Sequence, residues 1–190
     1  STTNSSTVTF DKTSPTLSAV TISSNNATSS LAKELDVVTL SITASESIQT
    51  PTVSIGGIAA TVSGSGSTYT AAATMSSSVA SGTITYSINY SDLSGNAGTQ
   101  VTSTTNSSAV TFDKTAPTLS AVTISSNNAT SSLAKVGDVV TLSITSSESI
   151  QAPTVSIGGI AATVSGSGST YTATATMNSS VASGTLTYSI

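Results

Sequence analysis

The sequence predicts an all-β protein built from two near-identical domains, and three observations lead to that class. Residues 1–88 align with residues 103–190 without a gap, so the chain repeats itself at an offset of 102. Apolar residues alternate with Ser and Thr at period two, which is typical of strands with one buried face. Runs rich in Gly, Asn and Ser separate these stretches, and no segment shows a helical period.

The length of the period identifies each copy as a whole domain. Solenoid and propeller units span about 20–50 residues, whereas 102 residues is near the commonest domain size. Nine aligned positions differ: Thr7/Ala109, Ser14/Ala116, Glu34/Val136, Leu35/Gly137, Ala44/Ser146, Thr50/Ala152, Ala72/Thr174, Ser76/Asn178 and Ile84/Leu186. Two near-copies in a row indicate a segment of a longer tandem array.

Three runs carry the clearest alternation: "DVVTLSIT", "STYTAAATM" and "GTITYSINYSD". The residues expected to face the core are Val38, Leu40, Ile42, Tyr69, Ala71, Ala73, Met75, Ile84, Tyr86, Ile88 and Tyr90. The other strands are predicted over Leu17–Ser23, Thr52–Ile55, Ala59–Ser63 and Gln100–Thr104, the last resuming at Ala109–Phe112. About seven short strands per hundred residues favour a two-sheet Ig-like sandwich. An up-and-down barrel is the alternative.

The repeat also suggests domain boundaries. Residues 11–112 form the first Ig-like repeat, and residues 113–190 form a second that stops before its last strand. Residues 1–10 copy 103–112, so they are expected to be the last strand of a preceding repeat. A second repeat without its last strand has an unpaired edge, so the sequence is expected to be part of a longer protein. The alternative is that residues 1–10 of a neighbouring molecule fill the edge by β-augmentation.

One of the differing positions affects a turn. "KELD" in the first copy stands where the second has "KVGD". Gly137 adopts a left-handed conformation freely, whereas Leu35 in that conformation costs on the order of 1 kcal/mol. The first copy is therefore predicted to use a different turn.

Composition excludes several classes of function. With 36% hydrophobic residues and a mean hydropathy of +0.24, the chain is not of a disordered type. A net charge of −4 with four Lys argues against nucleic acid as a partner, because phosphate binding needs clustered Lys and Arg. No apolar run of about 20 residues is present, so this segment should not insert into a membrane. The chain has no His and no Cys, the side chains that most often serve as catalytic base and nucleophile, so no enzyme activity is predicted.

The few acidic residues can be placed individually. In an Ig-like sandwich, the start of the first strand and the loops after strands B and F lie at the same end. This topology brings together Asp11, Glu46, Asp92 and Asn96, whose oxygens suit calcium. Asp113 and Glu148 begin the same arrangement in the second copy and complete the predicted metal-ligand set.

Ordinary turn chemistry is the alternative for these acids, since Asp and Asn commonly bond their own backbone in turns. Asp36 and Asp138, at the opposite end, are interpreted as turn residues. Six asparagines match the glycosylation pattern N-x-[ST], which arises by chance in a chain so rich in Ser and Thr: Asn4, Asn26, Asn89, Asn106, Asn128 and Asn178.

Several motifs together resemble a known group. "FDKTAPTLSAVTI", "AKVGDVVTLSIT", "SESI", "PTVSIGG" and "YSDLSGNAGT" resemble the Ig-like repeats of very large bacterial surface adhesins. The resemblance covers the whole repeat, and its motifs specify a fold and a stalk role rather than a ligand. It implies repeats that hold a terminal binding domain away from the cell, many with calcium between domains.

The leading hypothesis is a structural stalk repeat of an extracellular adhesin or fibre protein at a bacterial or archaeal cell surface, stiffened by calcium. Its partners would be neighbouring repeats of the same chain. A self-assembling surface-layer or filament subunit, with homotypic contacts between chains, is the second hypothesis. The third hypothesis is a glycan- or protein-binding module. Binding surfaces usually carry exposed aromatic residues, and few are expected to be exposed here, which argues against this hypothesis.

Overall fold

The computed structural model describes residues 7–190, and every regular element in that range is a β-strand. The all-β prediction is therefore confirmed. The chain divides into two compact units, Ser1–Lys114 and Thr115–Ile190. In the described part of the chain there is no helix of the length and apolar character that crossing a membrane requires.

The first unit holds ten strands within residues 7–114. They are β1 (Leu17–Ser24), β2 (Leu31–Ala32), β3 (Val37–Ala44), β4 (Thr52–Ile55), β5 (Ile58–Ala59), β6 (Thr61–Ser65), β7 (Thr68–Thr74), β8 (Gly82–Thr83), β9 (Tyr86–Asn89) and β10 (Thr111–Phe112). One sheet has the order β1-β3-β7-β6, and two three-stranded sheets have the orders β5-β4-β9 and β2-β10-β8. Their buried side chains form a single core, as in a β-sandwich.

The period-two alternation places side chains as expected. Val38, Leu40 and Ile42 on β3 are all buried, with at most 1% of each side chain's surface exposed. The remaining residues predicted to face the core, on β7 and around β9, are also buried. β3 pairs antiparallel with β1 on one side and with β7 on the other, so it is the central strand of this sheet.

The last strand of the first unit differs from the prediction. Gln100–Thr104 is not a strand, and only Val101 forms an isolated bridge, to Ile88. The edge of β1 is instead bonded by the residues that follow: the Thr105 and Ser108 hydroxyl oxygens accept from the Val20 and Ile22 backbone N–H groups at 3.1 and 3.0 Å, and the Thr105 backbone N–H donates to Val20 O at 2.9 Å. Short hydroxyl side chains can take the place of backbone groups along a strand edge.

The chain returns to a sheet only at β10. Thr111 and Phe112 pair in parallel with Leu31–Ala32 and antiparallel with Gly82–Thr83. The two-residue strand β2, which sequence patterning did not predict, exists through this pairing. Val110 and Phe112 have no exposed surface, so β10 closes the core.

The second unit holds seven strands within residues 115–190. They are β11 (Leu119–Ser126), β12 (Val139–Ser146), β13 (Ser156–Ile157), β14 (Ile160–Ala161), β15 (Thr163–Ser167), β16 (Thr170–Thr176) and β17 (Tyr188–Ser189). The sheet order β11-β12-β16-β15 matches that of the first unit, and the pair Val122↔Ile144 corresponds to Val20↔Ile42. No counterpart of the β2-β10-β8 sheet occurs among the described residues of this unit.

The prediction of a different turn in the first copy is wrong. Leu35 has φ +70° and Gly137 has φ +92°, so both occupy the left-handed region. Each turn makes the same backbone bonds: Leu35 donates to Met75 O and Gly137 to Met177 O, both at 2.9 Å. Bonds to the neighbouring strand end therefore hold this turn even when its residue is not glycine.

Replacing Leu35 by Gly should stabilise the first unit by up to about 1 kcal/mol, because the side chain is 80% exposed and its removal relieves left-handed strain. The change in the free energy of unfolding would be measured by urea unfolding, monitored by amide hydrogen exchange in β3. Gly137→Leu is the matched control and should destabilise the second unit by a similar amount. A lower stability of Leu35→Gly would contradict the strain argument.

Candidate metal centre

Three carboxylates of the first unit meet, as the sequence predicted from topology. Asp11, Glu46 and Asp92 each place one carboxylate oxygen so that the three oxygens lie within 4.8 Å of one another. Asp11 precedes β1, Glu46 follows β3, and Asp92 follows β9. An isolated antiparallel bridge between Ile48 and Asp92 joins the last two segments.

Asp92 is the most enclosed of the three, with 1% of its surface exposed. The Asn96 backbone N–H donates to Asp92 Oδ1 at 2.7 Å, and the Asn96 side-chain amide donates to Oδ2 at 2.6 Å. The same amide lies 3.3 Å from the backbone oxygen of Asp11. Asn96 is thus beside the cluster as predicted, and in this orientation its amide nitrogen faces the carboxylate.

Two opposing effects set the charge of Asp92. Burial raises the pKa of Asp92, but hydrogen bonds from the side chain of Asn96 and from the backbone N–H groups of Asn96, Gly95 and Ser94 outweigh it. The pKa of Asp92 is consequently lowered from its ordinary value of 3.8. Asp92 therefore remains an anion at neutral pH, and a proton does not relieve its repulsion from neighbouring carboxylates.

Among residues 7–190, the ion pairs Lys33–Asp36 and Lys135–Asp138 lie outside the cluster, and no lysine forms an ion pair with Asp11, Glu46 or Asp92. Oxygens that bind one calcium ion at about 2.3–2.6 Å lie within about 5 Å of each other, which matches the separation in the cluster. Calcium prefers a ligand set of carboxylate and carbonyl oxygens such as this one. The arrangement is thus chemically suited to a hard divalent cation.

Asp11 also forms the side-chain-to-backbone hydrogen bond that is typical of a turn. Asp11 Oδ1 accepts from the Thr13 backbone N–H at 2.9 Å, which is the Asx-turn pattern expected before Pro15. This bond engages one oxygen of Asp11. The two interpretations of Asp11 are therefore compatible at the level of geometry.

The predicted ligands of the second copy fall in separate units. Asp113 belongs to the first unit, where its backbone N–H donates to Ala32 O at 2.8 Å. Glu148 belongs to the second unit and is half-buried, and its Oε1 is buried without a hydrogen-bond partner among the described residues. A metal site at these two residues remains a prediction.

The opposite end of each unit holds a polar network that sequence analysis did not anticipate. Asp36 is 7% exposed and accepts from Asn26 Nδ2 at 2.7 Å, from the Lys33 backbone N–H at 2.9 Å and from Lys33 Nζ at 2.8 Å. Asp138 has the same partners, Asn128 and Lys135, in the second unit. These bonds, with the Asn side chain contributing most, lower the pKa of each carboxyl to about 2.

Asp36 and Asp138 are turn residues, as predicted, but each also ties its own turn to the loop that holds Asn26 or Asn128. Asn26 lies ten residues before Asp36, on the other side of a loop, so no short sequence motif predicts that the two side chains bond. The exact recurrence of Asn and Asp at the same spacing in both copies is the only sequence signal, and the near-identity of the copies makes it uninformative.

Lys114 binds a loop of the first unit through its side chain. Its Nζ donates to the backbone oxygens of Ser77 and Val79 at 2.9 and 3.1 Å. These bonds anchor the residues that follow β10. A lysine can satisfy loop carbonyls in this way because its ammonium group carries three donors.

Comparison with known proteins identifies no relative. No protein-family model matches the chain, and no curated protein matches it at a significant level.

Proposed function

We propose that the chain is a pair of Ig-like stalk repeats from a large extracellular adhesin or fibre protein of a cell surface. The observation that carries this proposal is the near-exact repetition of a domain-sized sequence, with the same strand registers in both units. Near-identical domains placed in series add length and stiffness. A single active site gains nothing from such duplication.

The distribution of aromatic residues supports a stalk over a glycan- or protein-binding module. Tyr69, Tyr86, Tyr90 and Tyr171 are buried, and Tyr188, which is 46% exposed, lies in β17 rather than at a loop tip. Recognition surfaces generally rely on exposed Tyr, Trp or Arg. Strand faces here are instead covered by Ser and Thr.

Calcium at Asp11, Glu46 and Asp92 is the second part of the proposal. An uncompensated group of carboxylates, one of them held ionised by its hydrogen bonds, is stabilised when a cation binds. In a stalk, a cation that joins the start of a domain to two of its loops would limit bending at that end. Glu148 would begin the equivalent site in the next repeat.

Calcium should raise the melting temperature of the first unit, because a ligand that binds only the folded state stabilises it by about 2.7 kcal/mol at one hundred times Kd. Glu46→Gln should remove most of this rise, while Glu34→Gln, an exposed acid outside the cluster, should leave it intact. Calorimetric titration and thermal unfolding with and without chelator would measure both effects. An unchanged melting temperature on chelation would assign the cluster to turn chemistry alone.

Small-angle X-ray scattering of the same protein tests the stalk role separately. Calcium is expected to narrow the distribution of overall lengths in the wild type and not in Glu46→Gln. Antibodies raised against residues 11–112 should also label intact cells of the organism that makes the protein. Labelling only after the cells are broken open would contradict a surface location.

A further inference from the structure

The segment that leaves the first unit is bonded back onto that unit. Directly after β10, the Asp113 backbone N–H donates to Ala32 O at 2.8 Å, which continues the pairing of β10 with β2 by one residue. Lys114 is the last residue of the unit, and its Nζ donates to the backbone oxygens of Ser77 and Val79. Main chain and side chain therefore both hold the end of the first unit in place.

The loop that accepts these two bonds, between β7 and β8, is itself anchored in the core. The Val79 side chain is 4% exposed, and its backbone N–H donates to Ser76 O at 3.0 Å. Val79 also packs closely on Gly56, where an added Cβ would lie only 3.1 Å from Val79 Cγ1. Hydrogen bonds from an ammonium group are stronger than neutral ones. Lys114 thus bonds through its charge to a loop that the core holds in position.

The second unit has its own anchor a few residues later. The Thr118 backbone N–H donates to Ser147 Oγ at 3.0 Å, and the Ser147 backbone N–H donates to Thr118 O at 2.8 Å. Three residues, 115–117, lie between this anchor and the lysine. Pro117 fixes its own φ and restricts Ala116 to extended conformations. The joint between the units is therefore short, and two of its three residues have little backbone freedom.

We propose that Lys114 is a strap that stiffens this joint by clamping the chain leaving the first unit to the loop between β7 and β8. Because Ala116 and Pro117 are already restricted, the two rotatable backbone bonds of Lys114 matter for the freedom of the joint. The strap removes that rotation, so bending is confined to residues 115–117. The stiffness comes from the chain's own side chains, so the inference depends neither on calcium nor on the proposed stalk role.

The test is nuclear magnetic relaxation of the 190-residue protein in the presence of a chelator. Backbone amide order parameters at residues 114–116 should be about 0.85 in the wild type, the value of a rigid backbone, and should fall towards about 0.6 in Lys114→Met. Methionine keeps the length of the side chain but donates no hydrogen bond. Amides of β3 should keep their order parameters, which separates a released strap from unfolding. Wild-type values near 0.6 at the joint, or values that Lys114→Met leaves unchanged, would overturn the proposal.

Two matched variants and a second measurement complete the test. Lys12→Met makes the same change in the same motif, "FDKT", and should leave the joint as in the wild type. Lys114→Arg should preserve the order parameters, since a guanidinium group also donates to carbonyl oxygens. Residual dipolar couplings of β3 and β12 report how independently the two units align, and their difference should grow in Lys114→Met. Units of Lys114→Met that align as they do in the wild type would contradict the strap.

Discussion

Phe112→Ala should destabilise the first unit by about 3–5 kcal/mol, the range for removing a fully buried phenylalanine. Phe112 is among the largest side chains without exposed surface, and it lies on the strand that holds β2 and β8 in one sheet. The loss should therefore combine a core cavity with weaker pairing of both neighbours. Urea unfolding monitored by hydrogen exchange in β3 and β12 would assign the loss to the first unit.

Phe10→Ala provides the control from the same sequence motif. Its side chain is 88% exposed, so the substitution should change stability by no more than about 0.5 kcal/mol. The two variants make the same chemical change in the same local sequence. Equal losses from both would show that β10 does not close the core.

Acid should destabilise both units between about pH 4 and pH 2. The pKa values of Asp36 and Asp138 are lowered from 3.8 to about 2 in the folded protein. A carboxyl whose pKa is depressed by folding adds stability above its unfolded pKa, and that stability is lost as pH falls through the folded pKa. Urea midpoints measured from pH 5 to pH 2 should therefore fall with acid.

Asp36→Asn should flatten this acid dependence in the first unit and leave that of the second unit unchanged, so Asp138 serves as an internal control. The stability of the first unit should still fall somewhat with acid in this variant, because the pKa of Asp92 is also lowered. Hydrogen exchange in β3 and β12 would report the two units separately. An unaltered slope in the first unit of Asp36→Asn would mean that the Asn26–Asp36–Lys33 network is not responsible.

Much of the fold follows from local pattern. Alternation alone placed Val38, Leu40 and Ile42 on the buried face of β3, because successive side chains of a strand point to opposite sides. Loop positions in an assumed sandwich brought Asp11, Glu46 and Asp92 to one end, and they do lie together. The first inference needed only strand periodicity, whereas the second also needed the strand order of an Ig-like sandwich.

Partners distant in the chain decided the rest. The sequence predicts a strand at Gln100–Thr104, yet of these residues only Val101 forms a backbone bridge, and Thr105 and Ser108 bond the edge of β1 instead. Leu35 takes a left-handed turn against its own preference because Met75 O accepts from its N–H. The pattern of apolar residues within a segment indicates which of its faces is buried. The hydrogen-bond partners of its backbone depend on which other segments pack beside it, and only the tertiary structure determines that packing.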